Sequence, residues 1–527
     1  FSLGKDKKGY KWYPHHKGGG YRKWYGNLEW VINWECDGND IKSASNSGLQ
    51  GKSIYFNTFA GWSKVSSKGN PLRYYKKNIL FDSGAPAISN DNIEITMALF
   101  NSNVGKYYLS VLSPTLNLQV GDIKGVPLIV NNENKIKSIV NDCIRISKTD
   151  WDSFETSWDF TQHPLIRCAS FSRKEMQEDR ENHIKDKNYI KDAFTNWENE
   201  CFLRFQQLKS NEEELNHIFI DIYGLQDELT PEVEEKEVTV RKADLGREIR
   251  SFISYAVGCM FGRYSLDREG LLFAGGDIKD TYAYYDGTIA DTANNPINET
   301  YTVEQLGTPF YYLPVDGKQP LECWKVDADN IILITEEEYF SDDIVGRFVE
   351  FVKMVYGEDT LEDNLDFIGQ ALGNKGDSSR EIIRNYFLKD FFADHLKVYQ
   401  KRPIYWLFDS GKQHGCKALI YMHRYNKDTI GKVRVDYLHH IEGIYESEIN
   451  RMQDTMDNSK SSREIAVATK RKEKLQKQLK ECREYDEKIG HLALLQIEID
   501  LDDGVKINYE KVQTASDGKK YQVLAKI

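Results

Sequence analysis

Residues 11–27 interleave cations, flat rings and glycines: Lys11, Trp12, Tyr13, His15, Lys17, Arg22, Lys23 and Trp24 stand among Gly18, Gly19, Gly20 and Gly26. Cations suit phosphates, flat rings suit bases, and glycine lets a backbone approach a ligand closely. A second cluster, Arg73, Lys76 and Lys77, surrounds Tyr74 and Tyr75. The chemistry these residue types point to is contact with a nucleic acid. Lys11, Lys17, Arg22 and Lys23 are candidates for phosphates or base edges, and an Arg reading guanine is worth about 1–3 kcal/mol of discrimination. Trp12, Tyr13 and Trp24 are candidates to wedge or stack. A second reading stays open: a glycine-rich loop whose aromatics anchor it to a core.

The elements that must hold these residues follow from pattern. Residues 1–140 are rich in Gly, Asn, Ser and aromatics, with short strands expected at Leu28–Trp34 and Ile79–Phe81. A helical stretch is expected from Ile93 through Leu112, and Pro127 restricts Val126–Leu128 to an edge strand or a connector. From about 140 the texture turns helical, with helices expected over Asn182–Tyr223, Asp244–Tyr264, Ser341–Tyr356 and Ser378–Tyr399. Ser378 or Ser379 is the expected N-cap of the last. Residues 402–408 and 417–422 read as two strands joined by the turn-rich Asp409–Gly415. The charged, nearly glycine-free 440–490 reads as a helical hairpin or short coiled coil. The expected class is α+β: a β-rich recognition domain followed by a mainly helical C-terminal region with a small β-hairpin. The expected domains are 1–140 (recognition), 141–265 (helical connector), 266–435 (mixed α/β) and 436–527 (helical hairpin and tail).

Charge is divided unevenly. Residues 1–150 carry 20 Lys+Arg against 12 Asp+Glu, and the remainder carries 50 against 70. A basic front suits a polyanion, and an acidic body discourages indiscriminate binding to it. The eight cysteines are widely spaced and none lies in a CxxC pair, which predicts a reduced, cytoplasmic protein without a zinc site. No run of about eighteen apolar residues predicts a membrane span. An opening Phe1-Ser2-Leu3, with no methionine, leads us to expect the latter part of a longer chain.

Several chemistries lack their residues. No Walker A pattern, HExxH or GxSxG occurs. Phe273-Ala274-Gly275-Gly276-Asp277 superficially resembles a cofactor loop but sits in a turn-rich region. Asn294-Asn295-Pro296-Ile297 lacks the second proline and the aromatic of an adenine-methylating loop. Adjacent His439 and His440 point in different directions on a predicted helix and suit no shared ligand. A loosely spaced nuclease core stays open, because nothing singles out one set of acidic residues.

Two resemblances add to this. Leu99-Phe100-Asn101-Ser102, Tyr107-Tyr108-Leu109, Leu116–Ile123 and Val126-Pro127-Leu128, preceded by Phe81–Ile88, resemble the end of a target-recognition domain of restriction-modification specificity subunits. More closely, Trp12–Asn27, Asp150–Phe160, Tyr255–Tyr264, Lys401–Gly411 and Ile499–Lys506 are similar to segments of the PglX-type adenine-specific DNA methyltransferases of BREX phage defence. The blocks run in order across nearly the whole chain, but the catalytic half is missing. The resemblance therefore implies no catalytic residue and no cofactor or metal in this chain, with S-adenosylmethionine expected for the parent. It implies double-stranded DNA as partner, together with the missing N-terminal methyltransferase domain and other phage-defence proteins. Its DNA contacts are expected at Lys11, Trp12, Tyr13, His15, Lys17, Arg22, Lys23, Trp24, Arg73, Lys76 and Lys77. The alternative is a stand-alone specificity subunit that docks on separate catalytic chains.

Overall fold

The structure is a computed structural model that describes residues 11–170, 187–266, 268–276, 278, 282–284, 310–312, 324–373 and 375–527. The fold is α+β, with a β-rich N-terminal region, a helical C-terminal region and a β-hairpin within it. The chain divides into two compact units, 1–160 with 197–243 and 161–196 with 244–527.

The first unit is built on two three-stranded sheets. β1 (Trp12–His16) pairs antiparallel with β2 (Trp30–Asn33) and parallel with β5 (Leu80–Phe81). β3 (Phe59–Gly61) lies antiparallel between β4 (Arg73–Tyr75) and β6 (Ala87–Ile88). The expected strand positions at 28–34 and 79–81 are both occupied, each trimmed at its ends. The expected helical stretch after Ile93 is two helices, Ile93–Asn101 and Asn103–Leu112. The break between them is local chemistry. Ser102 caps the second helix by accepting from Gly105 N at 3.3 Å. A Cβ on Gly105 would lie 2.1 Å from Leu99 O, so only glycine fits that corner. Asn101 meanwhile accepts from Leu72 N at 2.8 Å and donates to Leu72 O at 3.0 Å. Its amide thereby fixes the backbone that enters β4.

Val126–Leu128 forms no strand and serves as the connector that Pro127 permits. The Glu133–Asp152 helix follows, burying Ile136, Val140, Cys143, Ile146 and Trp151 along one stripe. Phe205, Leu208, Leu215 and Phe219, from the Ile190–Tyr223 helix, join the same core as Ile136, Val140 and Trp62.

The second unit contains the predicted hairpin in register: Tyr405–Asp409 pairs antiparallel with Lys417–Tyr421, which also pairs with Ile332–Leu333. The predicted helical hairpin is His439–Asn458 and Ser462–Ala493. Leu475, Leu479, Cys482, Tyr485, Ile489 and Leu492 recur at helical spacing and pack with Trp406, Phe408 and Ile420 from the strands. Glu481 closes the turn between those strands: it accepts from Ser410 Oγ at 2.8 Å, Gln413 N at 2.8 Å and Gly415 N at 3.1 Å. Asp244 and Ser378 cap the helices Leu245–Met260 and Ser379–Lys389, the second at one of the two positions the sequence predicts. Phe273–Gly276 is a turn, and the Asn294–Ile297 segment lies outside the described residues. No helix among the described residues is long and apolar enough to cross a membrane.

Two buried histidines give the second unit an acid limit. His163 is 1% exposed and its Nδ1 accepts from Leu165 N at 3.2 Å. His395 is 4% exposed and its Nε2 accepts from Ile404 N and Tyr405 N, both at 3.1 Å. A protonated ring can accept at neither nitrogen. Burial holds both pKa values down at about 3, with the Arg263 charge adding to the effect at His395. The folded values lie below the unfolded value, so the stabilisation is complete above about pH 6.5 and is lost as pH falls. Each histidine should cost about 2 kcal/mol between pH 7 and pH 5. Chemical denaturation at both pH values should show it, and replacement by His163→Asn with His395→Gln should flatten the acid slope. An unchanged slope in that variant would reject the assignment.

Candidate nucleic-acid interface

The segment 17–27 folds as a loop that its own glycines and two helices shape. Gly18, Gly19 and Gly26 have φ of 83°, 114° and 125°, and Trp24 adopts φ of 66°. A Cβ on Gly26 would meet Arg22 Nε at 2.6 Å and the Trp151 ring at 2.8 Å. Arg22 is buried. It pairs with Asp150 at 2.5 Å, donates to Tyr25 O at 2.9 Å, and lies 5.0 Å from the centre of the Trp151 ring. Asp150 also accepts from Arg241 N at 2.9 Å.

Lys23 and Trp24 share one acid. Lys23 Nζ pairs with Glu212 Oε2 at 2.6 Å, and Trp24 Nε1 donates to Glu212 Oε1 at 2.7 Å. The lysine and glutamate side chains are 2% and 3% exposed. Burial alone would lower the Lys23 ammonium. The charge and hydrogen bond of Glu212, with Tyr21 and Glu237, outweigh it and hold the pKa above its ordinary value.

Arg73 is fully buried and donates to neutral oxygens: Tyr75 Oη at 2.9 Å, Arg22 O at 3.2 Å and Ser63 Oγ at 3.4 Å. Its position ties β4 to the back of the 17–27 loop. Tyr13 and His15 are buried as well, with His15 Nε2 3.7 Å from Asp82. Burial lowers the His15 pKa; the nearby Asp82 charge opposes this and that of Lys17 adds to it.

The eleven candidate residues therefore fall into two groups. Tyr13, His15, Arg22, Lys23, Trp24 and Arg73 face inward, and each of the three cations among them is satisfied by the protein. Lys11 and Trp12 are half-buried, with the Lys11 ammonium 5.5 Å from the Trp12 ring. Lys17, Lys76 and Lys77 are exposed and form no ion pair among the described residues. Lys17 sits 4.3 Å over the Trp30 ring.

Lys76 and Lys77 border a cleft of about 500 Å³ whose lining includes Tyr25, Tyr74, Trp151, Trp158 and Asp159. Within Asp150–Phe160, Trp151, Phe154 and Phe160 are buried, whereas Trp158 is 37% exposed and lines the cleft. Lys148 bonds both Asp152 and Asp159, the latter at 2.7 Å. Burial pushes Asp159 up, but the hydrogen bond and charge of Lys148, with the charge of Lys76, hold it below the usual carboxylate range. Outside this region, His439 pairs with Asp486 at 2.9 Å, and no cluster suited to a metal ion occurs among the described residues.

Because Lys23 and Glu212 are buried together, truncating the lysine strands a carboxylate. Lys23→Met should cost about 3–5 kcal/mol of stability in the first unit. A thermal melt of the full chain should show this, and Lys23→Met combined with Glu212→Leu should recover a large part of the loss. A single variant as stable as the parent chain would refute the structural role.

No family model matches the chain. It is 39% identical over 517 residues to the adenine-specific methyltransferase PglX of Lacticaseibacillus casei strain Zhang, a match covering 95% of this chain and 39% of that protein. It is 34% identical over 536 residues to the adenine-specific methyltransferase BrxX of Escherichia coli O9:H4 strain HS, covering 97% of this chain and 40% of that protein. The chain thus spans about two fifths of the length of the curated relatives it matches.

Proposed function

The chain is a PglX-type sequence over nearly its whole length, and from that premise we propose that it reads and clamps double-stranded DNA for an adenine-specific methyltransferase of BREX phage defence. Methyl transfer itself belongs to the remainder of such a protein. S-adenosylmethionine would be held there, in the N-terminal methyltransferase domain, and other defence proteins would join the assembly.

Among the described residues, the loop most like a cofactor cradle does not fit that cofactor. The nearest candidate loop is Phe273–Gly276. A Cβ on its Gly275 would lie 2.8 Å from Leu501, so the turn is packed against the chain's own side chain. A glycine loop that binds a nucleotide instead leaves its backbone open to the ligand.

The observation that carries the DNA reading is the set of exposed cations left over after the buried ones are paired. Lys17, Lys76 and Lys77 stand on the basic stretch 1–150 and form no ion pair among the described residues. Phosphate oxygens are the natural partners of such lysines, and their neutralisation releases counterions. Arg22, Lys23 and Arg73 serve this surface indirectly, by fixing the loop and strand from which the exposed lysines project.

A triple variant, Lys17→Glu, Lys76→Glu and Lys77→Glu, tests the reading. Duplex DNA binding by the full chain, followed by fluorescence anisotropy across a salt series, should weaken at least tenfold. The slope of log affinity against log salt should fall by about 2–3, close to 0.9 for each phosphate no longer neutralised. Equal affinity and slope in the variant would sink the assignment of these lysines.

A further inference from the structure

The cleft beside Lys76 and Lys77 is larger than phosphate contact requires. Its volume is about 500 Å³, within the range of pockets that enclose small organic ligands. Its lining includes the rings of Tyr25, Tyr74, Trp151 and Trp158, and nucleobases stack on such side chains. Two of them, Tyr25 and Trp151, are buried at 6% and 7%, so the inner wall is rigid. Trp158, at 37%, leaves much of its indole open to solvent. Rings line the cleft, cations stand at its border and one carboxylate lies among them. That set of groups matches the parts of a nucleotide: rings for a base, ammonium groups for phosphate, and an acceptor for an exocyclic amino group.

The acceptor is Asp159. Its Oδ2 is held by Lys148 at 2.7 Å, which offsets its charge toward a nearby phosphate while leaving carboxylate lone pairs available. Adenine, cytosine and guanine carry an exocyclic amino group; thymine does not.

We infer that this cleft takes a single unpaired nucleobase of bound DNA, stacked against Trp158 and Tyr74, with Lys76 and Lys77 on the flanking phosphates. The inference rests on the DNA-recognition reading and deepens it. A base paired within a duplex cannot reach the cleft, because its faces are covered by its neighbours. Occupancy therefore selects duplexes in which a base is already out of the stack, and a free mononucleotide offers the same chemistry without the duplex.

The test uses the full chain and three probes: a fully paired duplex, the same duplex with one bulged adenine, and free dAMP. Binding of the duplexes is read by anisotropy, and dAMP by quenching of tryptophan fluorescence. The bulged duplex should bind about tenfold tighter than the paired one, as stacking of one base on an aromatic ring predicts. Trp158→Ala should erase that ratio, and Trp158→Phe, which keeps a flat ring, should restore most of it. A bulged thymine should gain less than a bulged adenine.

Equal binding of the two duplexes by the unmodified chain would overturn the inference and leave the DNA reading standing. So would a preference that survives Trp158→Ala. Failure of both duplexes to bind would overturn the DNA reading itself. In that event Trp158-dependent quenching by dAMP would assign the cleft to a free mononucleotide, and its absence would overturn the cleft site as well.

Discussion

A carboxylate removed from water must find its partners inside the protein, and Glu212 finds two on consecutive residues. One oxygen takes the Lys23 ammonium and the other takes the Trp24 indole N–H. The energetic logic is asymmetric. The intact pair contributes little net stability, because desolvating two charges offsets most of their attraction. A broken pair is costly, since either charge left alone in the core has no solvent to turn to. What the arrangement secures is therefore geometry more than free energy. The loop 17–27 has one conformation in which Lys23 and Trp24 both reach Glu212, Arg22 reaches Asp150, and Gly26 leaves room for Arg22 and Trp151.

That constraint sorts the cations of a basic segment into two kinds. Arg22, Lys23 and Arg73 are consumed by the fold, each bonded to protein oxygens. Lys17, Lys76 and Lys77 are left in solvent. Residue type does not separate the two kinds, because both are drawn from the same composition over the same stretch. Long-range pairing separates them. The arginine guanidinium, with its fixed fork of donors, suits the buried positions where several oxygens converge. The three exposed cations are all lysines, whose strongly hydrated ammonium groups favour solvent until a phosphate approaches.

The same distinction sets how much was legible in the sequence. Elements written in local period were readable. The hairpin of Tyr405–Asp409 with Lys417–Tyr421 follows two apolar runs around a turn, and the 439–493 helical pair follows from charge and the near-absence of glycine. The cap at Ser378 was readable because a cap is a contact between near neighbours. The fate of Lys23 was not, since its partner lies 189 residues away on another helix. Nor was the split within Asp150–Phe160, where Trp151 packs and Trp158 projects. Nothing in two tryptophans seven positions apart says which one the sheet will cover.

A surface organised in this way divides its tasks by depth. The buried layer of Glu212, Asp150, Arg22, Lys23 and Arg73 fixes where the backbone runs, and it responds to mutation through stability. The outer layer of lysines responds to ionic strength, because its charges are exposed to screening. The aromatic cleft lies between the two, with a rigid inner wall and one open indole. Diffuse attraction through lysines holds any duplex, whereas a shaped cleft discriminates by what can enter it. On the DNA reading proposed above, the three lysines alone would carry no sequence preference, because phosphates are the same on every duplex. Such preference comes from groups that meet base edges or faces, and the proposed cleft, lined by rings and Asp159, holds both kinds of group in one place.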